Sequence, residues 1–193
     1  MKKWLLPILA ACLLAVAGCS GPPEPAHGEA DRDFYLRLGS SAGVTQTFED
    51  EETGVAGSLR VDYQRIPGDG GEAYLLVTGV SGSWTVEDPS WKVTGCQVAV
   101  ACLSPDPASE GQWTLWEPEE LTFSYEVAFP QPVLDGKETA AGAQATLYLR
   151  QGEGKIHPVT MTAAAGSDSR RDLPDLAAWA EEGKTPFPNG EEG

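Results

Sequence analysis

Apolar and polar residues alternate over short stretches of this chain, and no helical period is sustained before the C-terminal tail. Leu59, Val61 and Tyr63 alternate with polar neighbours, and the odd positions of 121–129 are all apolar or aromatic. A period of two is typical of a β-strand with one buried face. We predict strands at residues 33–38, 44–49, 58–66, 72–80, 83–87, 91–101, 112–116, 121–129, 144–151 and 156–162.

Turn chemistry separates these runs. Residues 67–71 read Pro-Gly-Asp-Gly-Gly, which predicts a β-hairpin between the strands at 58–66 and 72–80. Many short strands joined by turns are typical of an antiparallel sandwich or barrel. We therefore predict an all-β fold, a single antiparallel β-sandwich of immunoglobulin-like architecture, over residues 33–165.

The tail at 166–193 has a different pattern. Asp172 is placed to cap a helix, a proline follows early in the first turn, and Gly183 is placed to end it. Leu173 and Leu176 would lie on one helical face. We predict a short C-terminal helix that packs on the sandwich, followed by a loose terminus.

The N-terminus has the features of a targeting sequence. Lys2 and Lys3 precede residues 4–17, which have no charge. This run is shorter than the ~20 apolar residues that span a bilayer, which favours a signal peptide at 1–18 over an uncut membrane anchor. Residues 19–32 are rich in proline, glycine and charge, and we predict a flexible linker there.

The sequence Val16-Ala17-Gly18-Cys19 resembles the lipobox of bacterial lipoprotein precursors, although leucine is commoner than valine at its first position. The resemblance covers residues 1–20 only. It implies that Cys19 is acylated and becomes the first residue of the mature chain. It also implies a lipid anchor at the extracytoplasmic face of the cell membrane, or at the outer membrane if the host has one. Long acyl chains hold a protein firmly, because each buried CH₂ contributes ~0.8 kcal/mol.

The net negative charge of the chain limits the classes of molecule that it can bind. The formal net charge is −16, which argues against nucleic acid as a partner, because binding to phosphate requires basic patches. It also argues against docking on anionic lipid headgroups. Cations or basic partners are favoured instead, unless the charge serves only to keep the protein soluble.

Two cysteines remain once Cys12 leaves with the signal peptide and Cys19 takes the lipid. We predict a disulfide between Cys96 and Cys102, because disulfides persist outside the cytoplasm. Such a bond would require residues 97–101 to fold back, since an unbroken strand would separate the two cysteines by ~20 Å. If they stay reduced, residues 93–103 form one long buried strand.

Residues 39–43 match the pattern G-x-S-x-G of hydrolases, with Ser41 as the nucleophile. His157 is the downstream histidine, so a triad of Ser41, an aspartate and His157 is formally available. The motif requires a strand, a tight turn and a helix, whereas residues 44–48 favour a second strand. We therefore predict a Gly/Ser turn and no catalytic residue.

Metal and cofactor chemistry has weak support. The chain has two histidines, His27 and His157, which are too few for a histidine-based zinc or copper site. Acidic runs at 49–52, 87–88 and 117–120 could supply oxygen ligands for calcium, but none has the EF-hand spacing. We predict no cofactor and no metal site, and solvated acidic loops.

Aromatic residues offer one candidate ligand face. Trp113 and Trp116 are three positions apart, so in a strand they point to opposite faces. An exposed tryptophan on a sheet is a common platform for a carbohydrate or peptide ligand. The alternative is that both pack in the core.

These observations favour a non-catalytic, lipid-anchored binding or interaction domain of the bacterial cell envelope, whose ligand is an envelope protein or a carbohydrate. One alternative is a small serine hydrolase that uses Ser41 and His157. Another is an accessory subunit of an envelope complex, which predicts an exposed apolar patch such as a loop at 98–100.

Overall fold

In the computed structural model, which describes residues 31–104, 111–167 and 173–176, the chain forms two antiparallel β-sheets. One helix precedes nine strands within these described ranges. They are α1 (Asp31–Leu38), β1 (Ser40–Asp50), β2 (Val55–Pro67), β3 (Ala73–Val86), β4 (Trp91–Leu103), β5 (Gln112–Trp116), β6 (Thr122–Glu126), β7 (Val133–Leu134), β8 (Ala140–Gln151) and β9 (Ile156–Ala164).

The sheets pack face to face. Sheet A has the order β1-β2-β3-β6, with β7 also paired to β3, and sheet B has the order β5-β4-β8-β9. Buried residues of both sheets, such as Leu59 and Val61 of β2 and Leu147 of β8, belong to one core between them. The prediction of a mostly-β fold with two antiparallel sheets is confirmed.

The period-two pattern of β2 corresponds to its burial. Leu59 and Val61 have no exposed surface, whereas Arg60 between them is exposed. The predicted hairpin is present: the Gly68 amide donates to the Glu72 carbonyl at 2.9 Å, and Gly71 has a φ of 91°. A positive φ favours glycine, which explains the glycine at this position of the turn.

Residues 33–38 were expected to form a strand, and this expectation is wrong, because they belong to α1. The helix ends where the Gly39 amide donates to the Tyr35 carbonyl at 3.0 Å. Tyr35 is buried in the core, and Arg32 donates to the Val127 carbonyl at 3.0 Å. These contacts with distant residues decide the conformation, since so short an apolar run is ambiguous between helix and strand.

Other helix and strand boundaries also differ from the predicted ones. The strands expected at 72–80 and 83–87 form one strand, β3, whose register with β2 shifts at Asp62/Tyr63. The short strand β7 was not predicted. Asp31 and Arg32, expected in the linker, belong to α1. The predicted signal peptide and the linker up to residue 30 lie outside the described residues.

The predicted disulfide is wrong in this structure. Cys96 and Cys102 are both buried free thiols. They lie on β4, which pairs with β8 without folding back, from Trp91 opposite Gln151 to Leu103 opposite Ala140. Six residues of strand separate the two cysteines by about 20 Å, which is far beyond the span of a disulfide. The long buried strand, which was the alternative, is what forms.

A second, smaller apolar cluster lies on the outer face of sheet B. Ala99, Ala101 and Leu103 of β4 are buried there together with Ala140 and Leu176. Leu173 packs against the same cluster. Leu173 and Leu176 of the C-terminal segment therefore cover this part of sheet B, although residues 173–175 are not helical. The remainder of the predicted helix lies outside the described residues.

Candidate functional site

The outer face of sheet A carries polar residues on its first two strands. Arg60 and Asp62 of β2 form an ion pair at 2.6 Å, and both side chains are about half exposed, at 50% and 44%. Opposite them on β1 is Gly43, which pairs with Asp62. A Cβ at Gly43 would collide with the Arg60 guanidinium and the Asp62 carboxylate. The ion pair therefore lies directly over the glycine.

Next to this pair, the Gln64 side-chain amide donates to the Ser41 hydroxyl at 2.9 Å. A shallow cleft of about 400 Å³ is lined by Ser41, Gly43, Arg60, Asp62 and Thr78, among other residues. It presents a hydroxyl, a carboxylate and a guanidinium to solvent. Such a set can hydrogen-bond to a polar ligand, but it contains no activated nucleophile.

A second cleft, of about 410 Å³, lies at the other side of Ser41, where α1 meets the β2–β3 hairpin. Its lining includes Ser40, Arg65 and Glu72 as well as glycines of the turn. The Ser40 hydroxyl donates to the Arg65 carbonyl at 3.4 Å. This cleft also presents charges of both signs, which suits a polar ligand better than an apolar one.

The structure separates Ser41 from His157. His157 lies close enough to Asp50 to interact electrostatically with its carboxylate. Ser41 lies nine residues from Asp50 along the continuous strand β1, which corresponds to about 30 Å. Because a general base must lie within hydrogen-bonding distance of its nucleophile, these two residues do not form a catalytic pair. Ser41 also lies within β1 and not in the predicted turn.

Around His157, the structure brings together the ends of strands from both sheets. The ring of His157 lies 5.6 Å from that of Trp91, measured between centroids. Asp50 accepts a hydrogen bond from the Thr53 hydroxyl, which is the main cause of its lowered pKa. The Glu52 amide also donates to Asp50, at 3.4 Å. These contacts fix the β1–β2 turn, and they give Asp50 a structural role.

The acidic runs do not assemble a metal site among the described residues. No group of three or more histidine, cysteine or acidic side chains lies close enough there to hold an ion. Asp88 accepts from the Ser90 amide at 2.9 Å, and this hydrogen bond lowers its pKa. That arrangement is typical of a carboxylate that caps a turn.

The two candidate tryptophans lie on opposite faces, as predicted. Trp113 pairs with Ala101, whose side chain lies on the outer face of sheet B, and is 44% exposed. Trp116 pairs with Val98 on the inner face and stacks on Tyr125, with centroids 4.7 Å apart. Only Trp113 is therefore presented outward, and the two rings cannot form one ligand face.

The cysteines offer no reactive thiol. Burial raises the pKa of Cys102 to about 12 and also raises that of Cys96. A thiol is nucleophilic only as the thiolate, which is scarce at neutral pH when the pKa is this high. The accessory-subunit alternative predicted an exposed apolar loop at 98–100, and this is wrong, because Val98 and Val100 are fully buried in β4.

Sequence patterns missed the arrangement over Gly43. A glycine inside a strand indicates the close approach of another group, and this could have pointed to Gly43. Arg60 and Asp62 are two positions apart and so share a face of β2. The register with β1, which places Gly43 beneath them, required the structure.

Cys19 lies outside the described residues. Among the helices in the described ranges, none has the length and apolar character needed to cross a bilayer. Comparison of the chain with protein-family models, with curated proteins and with solved structures finds no match in any of the three. The chain's own residues therefore have to support any functional assignment.

Proposed function

We propose that this protein is a lipid-anchored, non-catalytic binding or interaction domain of the bacterial cell envelope. The observation that carries this proposal is the position of Cys19 directly after an uncharged run and within a sequence that resembles a lipobox. The localisation follows from it: the extracytoplasmic face of the cell membrane, or the outer membrane in a host that has one.

The described site supports binding over catalysis. Ser41 donates no proton to a histidine; its hydroxyl accepts from Gln64. The clefts on sheet A present both signs of charge, and Trp113 presents an aromatic ring on sheet B. An envelope protein or a carbohydrate is the class of ligand that such polar and aromatic groups recognise. The serine hydrolase alternative loses its support, because Ser41 and His157 lie far apart.

The architecture of the domain is part of the proposal. Two antiparallel sheets that share one core support an immunoglobulin-like arrangement. Contacts of Leu173 and Leu176 with sheet B support a C-terminal segment that packs on the sandwich.

Intact-mass analysis of the protein from membranes of its own host tests the anchor. We expect a mass that lacks residues 1–18 and includes acyl groups. Reduction should leave this mass unchanged, since Cys96 and Cys102 are free thiols. Cys19→Ser should abolish the acyl mass and the membrane association. Cys12→Ser is the matched control, because Cys12 lies inside the uncharged run and should leave with the signal peptide. An uncut, unacylated wild-type chain would refute the proposed localisation.

Sedimentation with purified cell-wall polymer of the host tests the carbohydrate ligand. Trp113→Ala should lower the bound fraction without changing the thermal midpoint by more than a few degrees. Trp116→Ala is the matched variant on the same strand, and it should instead lower stability, because Trp116 stacks on Tyr125. If the bound fraction is equal for wild type and Trp113→Ala, this face does not bind the polymer.

A further inference from the structure

β1 is the longest edge strand in the described part of the chain. It pairs with β2 through all eleven residues without a register shift. The other edge strands are shorter: β5 and β6 have five residues each and β7 has two. β9 has nine residues and contains Pro158 near its start. Short length and proline are two devices by which proteins prevent unwanted strand pairing.

β1 has none of these protective features. Its residues 40–48 include no charged side chain and no proline, and the strand has no bulge with β2. Within the described ranges, only β2 is paired with it. An edge that is regular and uncharged over the nine residues 40–48 is a template for another strand. The edge of sheet A is therefore suited to β-strand addition.

The inward side chains of β1 leave surface for a further strand to cover. Val44 and Phe48 pack against the core but remain only partly buried. None of the eleven residues of β1 is fully buried, whereas β2 next to it contains Leu59 and Val61 without exposed surface. A strand added beside β1 would remove part of this apolar surface from water.

We infer that the added strand is β1 of a second copy of this chain, paired antiparallel across a two-fold axis. This inference goes beyond the proposed function, because it depends neither on the lipid nor on a ligand. The register that pairs all eleven residues places Thr45 opposite Thr45 of the second copy. Both inner faces then lie on the same side of one continuous sheet, since paired residues of an antiparallel ladder share a face.

Charge supports a second copy in this orientation. The acidic residues of β1, Glu49 and Asp50, lie at one end only. Antiparallel pairing places them opposite Ser41 and Ser40 of the second copy, so the acidic ends of the two strands do not meet. Ser40 neighbours Arg65 on β2, whose side chain is 55% exposed. Asp50 of one copy therefore comes within reach of Arg65 of the other, whose guanidinium also lies 4.0 Å from Asp135 of its own chain.

Side-chain size is also self-complementary in this register. On the inner side, Ala42 lies opposite Phe48 of the second copy, so a small residue meets a large one. On the outer side, Gly43 lies opposite Thr47 of the second copy. The net charge of −16 on each chain still opposes association. Raising the salt concentration from low ionic strength should therefore strengthen the dimer.

Cysteine cross-linking of the full-length protein in host membranes tests the register. With a mild oxidant, Thr45→Cys should give a disulfide-linked dimer, because facing residues of an antiparallel pair lie within disulfide range. Thr47→Cys is the matched control: it has the same residue type, strand and outer face. In this register the two substituted positions of Thr47→Cys would be four strand residues apart, about 14 Å, and should yield about tenfold less dimer. The unsubstituted protein gives the background.

Charge substitution tests the same axis in the purified, detergent-extracted protein. Thr45→Lys places two like charges opposite each other and should raise the dimer dissociation constant about fivefold or more in sedimentation velocity. Thr47→Lys faces Gly43 of the second copy and should leave the constant within about twofold of wild type. Circular dichroism checks that both variants keep the β fold.

Several results would overturn the inference. A wild-type protein that stays monomeric at every concentration and salt level would do so. Equal cross-linking of Thr45→Cys and Thr47→Cys would indicate random collision. A Thr45→Cys adduct with a protein of a different mass would show that a partner strand, and not a second copy, occupies the edge. A dimer that Thr45→Lys does not weaken would place the interface elsewhere.

Discussion

The outer faces of the two sheets are built from different residues. On sheet B, small apolar residues such as Ala99 and Ala101 are almost completely buried, and Leu173 and Leu176 pack against them. On sheet A, most of the corresponding positions of β1 and β2 are hydroxyl, amide or charged residues, and Arg60 is exposed. Small side chains permit close packing of a second layer, whereas charged ones stay in water. This part of sheet B is therefore covered by a second layer, and sheet A has the more open outer surface.

The outer face of sheet A is not open along its whole length, because α1 packs near one end of it. A Cβ at Gly39, directly after the helix, would lie 2.9 Å from Gln64 Cβ and 3.1 Å from Ile66 Cγ1. Ile66 is fully buried although it shares a face of β2 with Arg60 and Asp62. Sheet A is thus covered at the hairpin end, and the open part of its outer face lies beyond Gln64.

Truncating a side chain in the core between the two sheets should cost the most stability. Leu147 has no exposed surface, and Leu147→Ala should lower the free energy of unfolding by about 2–5 kcal/mol. Val44→Ala on the edge strand removes a partly buried side chain and should cost only about 1 kcal/mol. Urea denaturation of both variants measures the difference. Equal losses would contradict the contrast between a buried central strand and an open edge.

A glycine pair compares the two outer faces directly. At Gly142 of β8, with a φ of 151°, a Cβ would collide with the Ala163 carbonyl oxygen and lie 3.0 Å from Leu173 Cδ1. Gly142→Ala should therefore destabilise by about 2–3 kcal/mol in thermal or urea unfolding. Gly43→Ala meets only the flexible ends of Arg60 and Asp62, which can move into solvent. If Gly43→Ala is the costlier substitution, sheet A is not the open face.

Alkaline pH should weaken the fold through the thiol of Cys102. Burial raises its pKa to about 12 in the folded state, above the usual value of ~8.5. Between these values the unfolded chain has lost the proton that the folded chain keeps. The free energy of unfolding therefore falls as the pH rises, by up to about 1.4 kcal/mol per unit. Urea titrations of wild type and Cys102→Ala at pH 8 to 10 isolate this contribution, and parallel slopes would refute it.

Removing the ion pair on sheet A should change stability least. Arg60 and Asp62 are half exposed, and such pairs contribute about 0.2–1 kcal/mol. Arg60→Ala should therefore leave the thermal midpoint almost unchanged, and added salt should shrink the small difference further. A loss as large as that of Leu147→Ala would show that this face is buried in the native protein.

The hydrophobic pattern predicted most of the strands because each has one face in the core. Leu59, Val61 and Tyr63 alternate with polar residues, and the structure buries all three. The pattern failed at α1, where contacts of Tyr35 and Arg32 with distant residues decide the conformation. Local sequence cannot encode such contacts.

The cysteine prediction failed for a related reason. Spacing and compartment favoured a disulfide, but pairing of β4 with β8 through both Cys96 and Cys102 keeps the strand extended. For the candidate site, the sequence predicted the opposite faces of Trp113 and Trp116, because that follows from strand geometry alone. It could not predict the position of Arg60 and Asp62 over Gly43, which depends on the register between β1 and β2.

Sheet B is covered on both faces around Ala101 and Gly142, whereas sheet A is open along most of its outer face and at β1. Peptide-resolved hydrogen exchange on protein dilute enough to be monomeric measures this difference between the two sheets. We expect amides of β4 and β8 to exchange slowest, at the rate of global unfolding, and those of β1 to exchange much faster through local opening. Equal protection of β1 and β8 under these conditions would contradict it.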